Sequence, residues 1–103
     1  MTAAITVQEA CMSIEFIEEK FYIKGISEGN EEAFEVIYNH YSGMVARISY
    51  HVTGNTEEAK DVTQKVFLEL NRKAATLIGH TSLSGWLYTT ARNMSKAHVR
   101  SVS

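Results

Sequence analysis

The sequence predicts an all-α fold, a small bundle of three main helices plus a short N-terminal one. Three observations predict it. Apolar residues recur at steps of three and four along three long stretches. No segment shows the sustained alternation of a half-buried strand. The 103 residues include no Pro, so nothing breaks a long helix from within.

Residues 1–13 are weakly periodic and read as a disordered leader ahead of one domain, residues 14–103. Ile14, Ile17, Phe21 and Ile26 space a short helix, and Gly25 and Gly29 punctuate its end. Asn30 is then an N-cap, with Glu31 and Glu32 in the first turn, where negative charge suits the helix dipole. Phe34, Ile37, Tyr41, Met44, Val45, Ile48 and Val52 form one apolar stripe, and Gly54 ends that helix. The next helix starts at Asn55 or Thr56. Asn55 and Glu58 have nearly the spacing of a capping box. Ala59, Val62, Val66, Phe67, Leu70, Ala74 and Leu77 make its stripe, and Gly79 is expected to close it. Residues 76–84, TLIGHTSLS, read as a loop. The last helix starts near Ser82 or Ser84, with Leu83, Trp86, Leu87, Ala91 and Met94 on one face.

Several function classes are disfavoured. Cys11 is the single cysteine, so no internal disulfide forms, and a reducing cytoplasmic setting is the simpler reading. No apolar run nears the ~20 residues that cross a bilayer, and no signal-peptide pattern opens the chain. His40, His51, His80 and His98 are not at ligand spacing with Cys11 or with carboxylates. There is no nucleophile elbow and no phosphate-cradling glycine loop. No metal, no cofactor and no catalytic residue is therefore expected, and the chain is not read as an enzyme.

Charge is informative. All twelve acidic residues lie between Glu9 and Glu69. Residues 1–69 pair them with five cations, a net −7, while residues 70–103 hold five cations and no acid, a net +5. Such a split points to a polyanion at one end and a different partner at the other. At about 100° per residue, Thr89, Arg92, Asn93, Lys96 and Arg100 share one arc of the last helix. An ordinary solvated face mixes both signs of charge; this one has three cations, an amide and a hydroxyl. Arg and Lys bind phosphates, and Asn pairs with base edges. Tyr88 points away from the core by periodicity, as a ring that can stack on an unpaired base, whereas Trp86 belongs to the core edge. On the preceding helix, Asp61, Gln64 and Leu68 line up, flanked by Lys65 and Arg72, as a candidate protein-docking face.

Three segments, in this order and spacing, resemble the extracytoplasmic-function sigma factors, in the domain called region 2. GNEEAFEVIYNHY, residues 29–41, is similar to the opening of region 2.1; TEEAKDVTQKVFLEL, residues 56–70, to region 2.2; and SLSGWLYTTARNMSKAHVR, residues 82–100, to regions 2.3 and 2.4. The resemblance implies a domain that binds core RNA polymerase and recognises and melts the promoter −10 element. It implies docking on the clamp helices of the largest polymerase subunit through Asp61, Gln64, Lys65, Leu68 and Arg72. It also implies contact with the −10 non-template strand through Tyr88, Thr89, Arg92, Asn93, Lys96 and Arg100, with loop residues that include His80 and Ser82. Family habit adds an anti-sigma factor as a partner. Lys65, Asn71 and Ala97 depart from the family's usual acid, aromatic and Asp or Asn at those places. A region 4 domain, which reads the −35 element, is absent from the 103 residues, so an isolated or truncated domain is expected. The competing reading is a helical interaction module of the same fold that reads no DNA.

Overall fold

A computed structural model describes residues 16–78 and 82–102 of the chain. They form four helices: α1 (Phe16–Ser27), α2 (Glu31–Thr53), α3 (Thr56–Leu77) and α4 (Leu83–Val102). The three long helices pack pairwise on one another, and α1 packs on α2 and α3. The leader at residues 1–13, with Cys11, lies outside the described residues.

The apolar stripes become the core. Ile37 and Tyr41 with Val45 from α2, Val62, Val66, Phe67 and Leu70 from α3, and Leu83, Leu87 and Ala91 from α4 are buried together. Phe34, Met44, Ile48, Leu77, Trp86 and Met94 pack at its margin. Phe67 is the largest of the fully enclosed side chains. Its ring meets Tyr38 at 4.8 Å and Phe34 edge-on at 6.2 Å, which ties α3 to α2. Ser49 on α2 and Ser95 on α4 are also fully buried. Among the described residues neither hydroxyl has a hydrogen-bond partner. Thr63, by contrast, returns its hydroxyl to the Ala59 carbonyl at 2.7 Å.

The helix ends explain the tight turns. The Gly29 N–H donates to Ile26 O at 3.0 Å, and the Asn30 N–H donates to Gly25 O at 2.9 Å. That pair of bonds is a Schellman motif, and Gly29 takes the left-handed φ of +84° that it needs. Asn30 then caps α2 at once, its Oδ1 accepting from the Glu32 and Ala33 amides at 2.9 and 3.1 Å. Gly54, at φ +71°, ends α2 with its N–H on Tyr50 O at 2.7 Å. Asn55 caps α3 by accepting from the Glu58 amide at 3.0 Å.

The abrupt α1–α2 turn brings the two helices into close contact. A Cβ on Gly25 would lie 2.8 Å from the Ala33 Cβ, and neither atom can move without its backbone. Alanine in a helix is favoured over glycine by up to about 1 kcal/mol. Overpacking costs about 1–3 kcal/mol and outweighs it here. Gly25→Ala is therefore expected to lower the melting temperature followed by circular dichroism; a rise would mean that α1 has room to back away.

Two sequence expectations need correction. Phe21 does not belong to the buried stripe of α1: it is 73% exposed, its ring set edge-to-face with that of Tyr22. The buried face is Glu19, Ile23 and Ile26. The loop after α3 is also shorter than residues 76–84. Leu77 packs against the core and Thr76 bonds back to Lys73 O at 2.7 Å, so α3 continues to Leu77. The C-cap is Ile78, extended at φ −62° and ψ 121°; Gly79, expected to close the helix, lies outside the described residues. At the other side, buried Leu83 opens α4.

Glu19 is an acid on a core face. One carboxylate oxygen accepts from the Tyr41 hydroxyl and the other from the Leu83 amide at 3.3 Å. Burial, and then the carboxylate beside it, pushes the Tyr41 hydroxyl well above its ordinary range. A raised value in the folded state means that the native chain holds this proton more tightly than the unfolded chain does. The associated stability is complete below the unfolded tyrosine value of about 10 and is lost as pH rises beyond it. The native chain is expected to lose urea resistance steeply above about pH 10, and Tyr41→Phe to flatten that fall. Parallel curves for the two proteins would contradict this.

Candidate nucleic-acid interface

α4 carries its apolar residues inward and leaves Thr89, Arg92, Asn93, Lys96 and Arg100 exposed along its outer side. The helix starts with Ser82 as its cap. The Ser82 carbonyl accepts from the Trp86 amide at 3.1 Å and its Oγ from the Gly85 amide at 3.4 Å. Ser82 Oγ also lies 2.8 Å from Ser84 Oγ, so this hydroxyl is already engaged. Tyr88 is 50% exposed on the first turns, while Trp86 packs against the core edge, as the periodicity predicts. His80 lies outside the described residues.

The cations of α4 differ from those of α3. On α3, Lys65 lies 3.2 Å from Asp61, Lys60 lies 3.9 Å from Glu57, and Lys73 lies 3.5 Å from Glu69. Arg72 grips Glu69 with two hydrogen bonds of 3.2 and 2.8 Å. Those bonds hold the Glu69 carboxyl below its usual range and raise the guanidinium further. Each of these cations has an acid three or four positions away on its own helix. Among the described residues, Arg92, Lys96 and Arg100 have no carboxylate within ion-pair distance. Their charge is left to act outward.

The second candidate face is also assembled. Asp61, Gln64, Lys65, Leu68 and Arg72 are all exposed on α3, and Leu68 is 67% exposed. Lys65, Leu68 and Arg72 line one wall of a shallow groove whose other wall is Met94, Ala97 and His98 of α4. At the same seam, His98 Nε2 lies 3.2 Å from Glu58 Oε1, an ion pair when the imidazole is protonated. Sequence reasoning missed this pair because its members are forty positions apart. It missed Glu19 too, although an acid in step with Ile23 and Ile26 was a signal available in the spacing.

Among the described residues, no three His, Cys, Asp or Glu side chains cluster to hold a metal ion. No described helix is long and apolar enough to cross a membrane.

The Sigma-70 region 2 family matches residues 37–103. The chain is 28% identical over 78 residues to the ECF RNA polymerase sigma factor SigW of Bacillus subtilis, an alignment covering 76% of this chain and 42% of that protein. It is 34% identical over 74 residues to the ECF RNA polymerase sigma factor BldN of Streptomyces coelicolor, covering 71% of this chain and 28% of the relative. It is 23% identical over 82 residues to the RNA polymerase sigma-H factor of Pseudomonas aeruginosa, covering 80% and 42%. The chain spans less than half the length of these relatives. No solved structure gives a significant match. With a four-helix fold, a family match over most of its length and relatives that are sigma factors, the chain belongs to the Sigma-70 region 2 family, as an extracytoplasmic-function sigma factor domain.

Proposed function

We propose that this domain works in transcription initiation, without catalysis of its own, by docking on core RNA polymerase through α3 and holding the opened −10 strand of a promoter on α4. The observation that carries the reading is the acid-free outer side of α4, with Arg92, Lys96 and Arg100 lacking any described ion-pair partner. Such cations meet phosphates, and Asn93 among them offers a donor and an acceptor to a base edge. Tyr88 adds an exposed ring for stacking, with Thr89 next to it in sequence and Ser82 at the cap of the same helix. His80, in the segment before α4, joins these residues on the strength of family resemblance. Opening a base from its stack costs about a few kcal/mol, which stacking and edge hydrogen bonds must offset.

The docking role falls to Asp61, Gln64, Lys65, Leu68 and Arg72. Their own ion pairs neutralise most of the charge on this face, and Leu68 protrudes as an apolar anchor. The partner surface proposed is the clamp helices of the largest polymerase subunit. Function with polymerase places the domain in the cytoplasm. An anti-sigma factor would be a further partner covering one of these faces.

The test of strand reading is fluorescence anisotropy with a labelled −10 single strand and mismatched controls at two salt concentrations. Sequence preference together with steep salt dependence supports it. Binding without preference would leave the α-helical interaction module as the better account. For docking, Gln64→Ala with Leu68→Ala is expected to reduce recovery of core polymerase in a pull-down by about tenfold, as loss of one apolar anchor and one amide contact predicts. Unchanged recovery would remove this face from the proposal.

A further inference from the structure

Glu19 lies in line with Ile23 and Ile26 on the buried side of α1, and both of its oxygens are engaged by other helices. Tyr41 of α2 donates to one. The Leu83 amide, the first of α4, donates to the other from 64 positions away. α1 and α4 otherwise barely meet.

The first N–H groups of a helix have no partner within it, and a negative group beside them is stabilising. α2 and α3 carry their own acids in the first turn, Glu31 and Glu32 in one and Glu57 and Glu58 in the other. α4 carries none. Ser82 answers the Gly85 amide, and the Leu83 amide is answered from the core side by Glu19.

We infer that Glu19 is a positioning residue for strand reading, an internal anion that fixes where α4 begins. The inference rests on the strand-reading role proposed above. An acid in α4's own first turn would face the same strand that Tyr88 and Arg92, along the next turns, are proposed to meet. Glu19 stabilises the same helix end from inside and leaves the outer side free of negative charge. Tyr41 holds the second oxygen, so the carboxylate has a fixed direction. The start of α4 sets the placement of Ser82, Tyr88 and the cations relative to α1 and α2. With this joint removed, discrimination between strands falls further than strand binding in general, because base-edge contacts tolerate less displacement than phosphate contacts do.

The test compares Glu19→Gln and Glu19→Ala in the full chain, by amide NMR and by anisotropy with cognate and mismatched −10 strands. Glutamine keeps an oxygen for the Leu83 amide and gives Tyr41 an N–H partner. The Leu83 amide resonance is expected to move as the charge is lost, α3 resonances to stay, and the cognate-to-mismatch ratio to hold within about twofold. Alanine is expected to lower that ratio by about fivefold or more while recovery of core polymerase is unchanged. Should the alanine variant fail to fold, Glu19→Asp takes its place with the same expectations, its arm being one methylene too short to reach both partners. An unmoved Leu83 resonance in the glutamine variant overturns the inference. So does a native ratio in the alanine or aspartate variant, or a parallel loss of strand binding and polymerase recovery, which would mark a merely structural role. A native chain with no strand preference sinks the strand-reading role and the positioning claim with it, and the Leu83 resonance still decides whether the joint exists.

Discussion

Replacing Arg92, Lys96 and Arg100 together with alanine is expected to remove most of the affinity for a −10 single strand and most of its salt dependence. Each phosphate contact on a single strand adds about 0.7 to the slope of log affinity against log salt, so three add about 2. A fourfold rise in salt then weakens the native chain about twentyfold through these contacts alone, and the triple variant loses that sensitivity. All three side chains are exposed, so folding is expected to change little, by about 0.5 kcal/mol or less per site. Asn93→Ala separates charge from reading. It leaves the salt slope intact and reduces discrimination between matched and mismatched strands by about tenfold, the low end of what a bidentate base contact contributes. Equal salt slopes for the native and triple-variant chains would end the case for α4 as a phosphate-binding surface.

The second large effect concerns neighbours on α3. Phe67→Ala empties the centre of the aromatic group formed with Phe34 and Tyr38, and such truncations cost about 3–5 kcal/mol. A domain of this size has roughly 5–15 kcal/mol in total, so the variant is expected to melt some 15–30 °C lower or to be unfolded at physiological temperature. Leu68→Ala, one position along, is expected to change the melting temperature by only a few degrees, because Leu68 is 67% exposed. Thermal melts of the pair decide it. Similar losses for both would mean that α3 is turned differently about its axis from the orientation described.

The pair also shows what was legible before the structure. A stripe that includes Val66, Phe67 and Leu70 leaves Leu68 on the far side by periodicity alone, and the long helices followed from such stripes. The caps at Asn30, Gly54 and Asn55 were local patterns of two to four residues and were equally readable. The outer side of α4 was visible as a run without acids, but the lack of ion pairs there was not, because only the fold shows which carboxylates come near. α1 was too short to settle its own orientation: a stripe through Phe21 and one through Ile23 fit the pattern about equally. The choice falls to packing, with Gly25 pressed against Ala33 and Glu19 facing Tyr41 and Leu83. The last turn of α3 is likewise settled by packing. A loop that begins at residue 76 overlooks Leu77, whose place at the core margin carries the helix that far before Ile78 turns away.

Ser49 and Ser95 have a consequence of their own. Each gave up contact with water to enter the interior, and neither regained a partner among the described residues. A methyl group in place of either hydroxyl would keep the volume nearly the same and shed that desolvation penalty. The packing of α2 and α4 into the core is therefore looser in energy than its shape permits. The helix proposed to carry the strand rests on the body of the domain with stability left in reserve.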